Sequence, residues 1–114
     1  MQPQQVKNAF PPIAQHIDEA ARLCQTSSNV PEELRKSVSE LARESGQAKS
    51  TLAQEQNEQN IVACVDRLEK LADRAMQACK QSGNNIDEPL RQAVWQAHGG
   101  LSDLKHRVHE PVGT

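Results

Sequence analysis

The chain has no tyrosine, and Phe10 and Trp95 are its only aromatics among 114 residues. That scarcity excludes a core built on large rings and argues against sheets, which favour aromatic and β-branched side chains. Hydrophobic residues make up only 36%, much of it alanine. The core must therefore be aliphatic and shallow, as suits helices packed at close range. No apolar run approaches membrane-spanning length, so no membrane association is expected. Residues 1–13 contain neither a cationic region nor an apolar stretch of the signal-peptide kind, and the expected location is the cytoplasm. No sign of charge dominates: residues 1–57 carry 6 basic and 7 acidic groups, and residues 58–114 carry 7 and 8. A nucleic-acid footprint would need a basic concentration, so no nucleic acid is expected as partner. The length fits one domain and not two.

What is present is helical periodicity. Apolar residues recur at spacings of three and four in four segments. The first, residues 11–26, follows Phe10 with Ile13, Ile17, Ala20 and Cys24. The second, residues 30–53, carries Leu34, Val38, Leu41, Ala48 and Leu52. The third, residues 58–81, carries Ile61, Cys64, Leu68, Leu71, Ala75 and Ala78. The fourth, residues 86–108, carries Leu90, Val94, Ala97, Leu101, Leu104 and Val108. This pattern predicts an all-α, up-down-up-down four-helix bundle over residues 11–108. Residues 1–10 would be an N-terminal extension and residues 109–114 a tail.

Punctuation agrees with the four segments. Pro11 and Pro12 suit a first helical turn, where a missing amide costs little. Asn29 with Glu32, and Asn85 with Glu88, have the spacing of a capping residue and a reciprocal acid, with Pro31 and Pro89 in tolerated places. Residues 54–60, QEQNEQN, hold no apolar side chain, and the middle turn is expected there. Without Gly or Pro in that stretch, one continuous helix over residues 31–81 is the alternative. Aligning Asp18 with Asp73 sets Cys24 opposite Cys79 and, with one gap, Asn29, Leu34 and Val38 opposite Asn85, Leu90 and Val94. Each half is thus a helical hairpin that buries its stripe only by stacking on the other.

Candidate chemistry is sparse. Cys24, Cys64 and Cys79 read as reduced, buried thiols. Cys64 and Cys79 lie about 22 Å apart along one helix, and no cysteine has a CxxC or CxxxH neighbour, so no metal or cofactor is expected. The acids in Asp66-Arg67, Glu69-Lys70 and Asp73-Arg74 read as solvated surface. His98, one position off the core stripe and followed by Gly99 and Gly100, is the residue with catalytic potential. A helical histidine near small residues resembles histidine-phosphotransfer domains, although Leu101 and Ser102 replace the lysine and glycine usual there. Arg91, with six residues between it and His98, is similar to the motif of the HEPN ribonucleases, with Gln92 where asparagine is more usual. Those resemblances imply a histidine-dependent signalling or RNase-type domain using His98 with Arg91. In texture the chain also resembles helical bundles of the focal-adhesion-targeting, talin and vinculin type, a likeness of composition that carries no residues across.

Trp95, Gly99 and Gly100 form the most informative local feature. Trp95 follows the core residue Val94 and so falls on the flank of the stripe. Two glycines inside a strong helix cost about 1 kcal/mol each relative to alanine. A side-chain-free strip beside a large aromatic suits the docking of another helix, and tryptophan is enriched among interface anchors. The bland alternatives are a tryptophan covering one end of the core and glycines that kink or end the helix. The expectation is a non-enzymatic module that binds a protein partner or itself, as a homodimer, through Trp95, Gly99, Gly100, His98 and Arg91, with no catalytic residue assigned.

Overall fold

The computed structural model describes residues 3–28, 30–54, 57–82 and 86–109. Four helices follow one another: α1 (Pro3–Thr26), α2 (Glu32–Gln54), α3 (Glu58–Ser82) and α4 (Glu88–Val108). There is no strand among the described residues. α1 packs on α2 and α4, and α3 packs on α2 and α4, so each helix touches two antiparallel neighbours around a four-cornered core. This is the up-down-up-down bundle expected from the periodicity.

The middle turn is real, and the single long helix is excluded. α2 stops at Gln54, and Asn57 caps α3: its side-chain Oδ1 accepts from the backbone N–H of Gln59 at 2.8 Å and of Asn60 at 3.3 Å. That satisfies donors the first helical turn would otherwise leave open. The expected caps Asn29 and Asn85 lie outside the described residues. α4 begins at Glu88 instead of residue 86, and Asp87 holds its N-cap position without a side-chain capping bond. The Asp87 carboxylate accepts instead from Ser27 Oγ at 2.8 Å, tying the α1–α2 turn to the α3–α4 turn.

The helix α1 starts eight residues earlier than expected. Residues 3–10 are its first turns, not an extension, and Pro11 and Pro12 lie inside it. An interior proline loses a helix hydrogen bond and costs about 3 kcal/mol or more. The opposing term is burial of Val6 and Phe10, only 1% and 3% exposed, each worth about 1.5–3 kcal/mol. Both proline rings face outward. The other end also departs from expectation: His109, assigned to the tail, is the C-cap of α4, and its N–H bonds to Lys105 O.

The core divides in two. Near the middle turn it holds Phe10, Ile17, Leu41, Leu52, Leu68 and Leu101. Near the paired turns it holds Cys24, Leu34, Val38, Cys79, Leu90 and Val94, the residues the internal repeat aligns. Two serines of α2, Ser37 and Ser45, are buried among the apolar residues; Ser45 is fully buried, and its hydroxyl has no partner. Cys24 and Cys79 are buried as expected, whereas Cys64 is only half-buried. Burial pushes all three thiols up, Cys24 to about 11. No helix is long and apolar enough to cross a membrane, among the described residues.

Candidate functional site

The fourth helix carries all five residues of the expected binding site, and the bundle sorts its side chains onto three sides. Leu90, Val94, Ala97, Leu101 and Leu104 point inward. The side toward α1 carries Gly100. A Cβ placed there would stand 2.8 Å from Ile13 Cγ1 and 3.3 Å from its Cδ1. The glycine therefore lets α1 and α4 approach closely, and the expectation that both glycines form one open docking strip is corrected for this one. A Cβ at Gly99 would meet nothing within 4 Å. Only Gly99 belongs to the exposed strip.

The outer side carries Trp95, 55% exposed and the one exposed large hydrophobic side chain among the described residues. Glu88, Gln92, Trp95, Gly99 and His106 are all exposed, and at 3.6 residues per turn they share about a sixth of the helix circumference. One turn separates Trp95 from Gly99, which puts the large ring beside a bare stretch of backbone.

The side toward α3 carries the histidine chemistry. His98 is only 21% exposed, with its Nε2 3.5 Å from Asp73 Oδ1 and 4.0 Å from Glu69 Oε1. Lys105 Nζ lies 3.3 Å from Glu69 Oε2, and His109 Nε2 lies 2.8 Å from Asp66 Oδ1. Asp66, Glu69 and Asp73 thus form a ladder toward α4 at spacings of three and four. Asp73 is solvated as expected, whereas Asp66 and Glu69 are partly covered, and all three reach across to side chains of α4. Sequence reasoning missed it because the partners lie 25 to 43 positions away. The signal that could have shown it was the recurrence of acids on the α3 flank with histidines and a lysine on the α4 flank.

Arg91 is two turns, about 10 Å, along α4 from His98, beside Cys79, whose thiol its charge pulls down against the larger effect of burial. No cluster of three or more histidine, cysteine or acidic side chains suited to a metal ion occurs among the described residues. Comparison with family models, with curated proteins and with solved structures gives no match to this chain.

Proposed function

We propose that this chain is a non-enzymatic interaction module that binds a protein through the outer face of α4, with Trp95 as anchor and Gly99 as the open ground beside it. The observation that carries the reading is the exposure of Trp95. A bundle this poor in large apolar groups leaves its bulkiest one in water, next to a glycine that no packing contact requires. Tryptophan in such a position supplies large rigid contact area and typically costs about 1–2 kcal/mol or more of binding when truncated. The compartment proposed is the cytoplasm, where its three free thiols stay reduced.

The alternative, a histidine-dependent domain using His98 with Arg91, draws on the acids beside His98, which would orient a general base. The same acids count against a phosphoryl acceptor, since carboxylates at 3.5 and 4.0 Å repel an incoming phosphate. The geometry favours the interaction reading.

Affinity capture from the native cell with wild type and Trp95→Ala side by side tests it. Loss of a captured protein with the variant, at unchanged melting temperature, is the expected result. Equal capture by both chains, or loss only because Trp95→Ala unfolds, would overturn the reading.

A further inference from the structure

Resting on the reading of α4 as an interaction face, we infer that its occupant is a second copy of this chain, docked by an antiparallel α4–α4 contact about a two-fold axis at the level of Ala97. A two-fold contact must be self-complementary, each residue meeting its counterpart at the mirrored position. With the axis at that level, Trp95 of each copy lies over Gly99 of the other. Gly99 meets that requirement: a Cβ there would meet nothing within 4 Å, and the glycine leaves bare backbone for a partner's ring to rest on.

The charges fit the same register. Glu88 lies seven residues before Trp95, and His106 lies seven after Gly99. The axis that pairs Trp95 with Gly99 therefore sets Glu88 of each copy opposite His106 of the other, about 10 Å from the central contact. All four positions are exposed on α4, with His106 at the edge of a shallow pocket that it shares with Glu69 of α3. The acidic first turn of one α4 faces the basic last turn of the other, where Lys105 and Arg107 flank His106. A parallel arrangement would set Glu88 against Glu88 and stack the two tryptophans beside empty glycine strips. One helix face buries area at the low end of specific interfaces, so the dimer is weak and depends on concentration.

Sedimentation equilibrium of the full chain from about 10 μM to about 1 mM tests the inference. The expected result is a monomer–dimer equilibrium, weakened about tenfold by Trp95→Ala and lost with Gly99→Leu, which occupies the seat. Glu88→Lys should weaken it about threefold or more, and adding His106→Glu should restore it by setting a lysine opposite a glutamate. Thermal melts confirm that each variant is folded, and Gly99→Leu is the safest of them because its side chain enters open space. Monomer throughout the range would overturn self-association; capture of a foreign protein that still needs Trp95 would then leave the interaction reading standing. A dimer indifferent to Trp95→Ala and Gly99→Leu would overturn the choice of face. A dimer that needs Trp95 but is not restored by the charge reversal would overturn the antiparallel register.

Discussion

Gly100 of α4 lies against Ile13 of α1 so closely that a Cβ on the glycine would be 2.8 Å from Ile13 Cγ1. Its neighbour Gly99 faces open space. Two adjacent glycines in one helix therefore have opposite reasons for being there. Gly99→Ala should stabilise the fold by about 0.5–1 kcal/mol, the usual gain of removing a glycine from a helix. Gly100→Ala should destabilise it by about 1–3 kcal/mol, because a β-branched side chain on the opposing helix must shift. Thermal melts of the two single variants check this, and stabilisation by both would remove the close α1–α4 approach from the account.

Ser45 offers a substitution that improves the core. Its hydroxyl is buried without a partner, and an unsatisfied buried polar group costs about 1–3 kcal/mol. Ser45→Ala is expected to raise the midpoint of urea unfolding without changing the slope. A lowered midpoint would mean that the hydroxyl is bonded in solution.

The thiols should react in order of burial. Cys64, half-buried, is expected to be alkylated first in the native protein, and Cys24 and Cys79 only as the chain unfolds. Mass spectrometry of a labelling time course at mildly alkaline pH reads the order directly. Early labelling of Cys24 would contradict its placement in the core.

The Cys24 thiol adds a pH dependence whose sign is fixed. Burial raises its pKa from 9.0 to about 11 in the folded chain. Between those values the folded state holds a proton that the unfolded state releases. Its contribution is therefore complete below pH 9 and is lost as pH rises toward 11. Cys24→Ala should flatten the fall of stability across that window in urea titrations at successive pH values. An equally steep fall would assign the slope to other groups.

Much of this architecture is legible from spacing alone. The stripes at Ile17–Cys24, Leu34–Leu41 and Leu90–Leu104 all turn inward, and the break between α2 and α3 falls inside residues 54–60, which hold no apolar side chain. Local punctuation misled where tertiary packing outweighed it. Pro11 and Pro12 read as a helix start, yet Phe10 and Val6, one and five residues before Pro11, reach the core and carry the helix through them. Nothing near Asp87 in the sequence points to Ser27, its hydrogen-bond partner 60 positions away. The candidate site was half legible. The position of Trp95 off the stripe implied exposure, but nothing local to Gly99 and Gly100 could show that Ile13 packs on one of them and not on the other.

Trp95 is the only tryptophan, so its fluorescence reports on the proposed face and nothing else. The most direct test is the emission spectrum and acrylamide quenching of the dilute wild-type chain, repeated at rising concentration. The account predicts water-like emission and easy quenching for the dilute monomer, with a blue shift and protection as the face is covered. A blue, poorly quenched signal at the lowest concentration would place Trp95 in the core and contradict the claim that α4 presents it for binding.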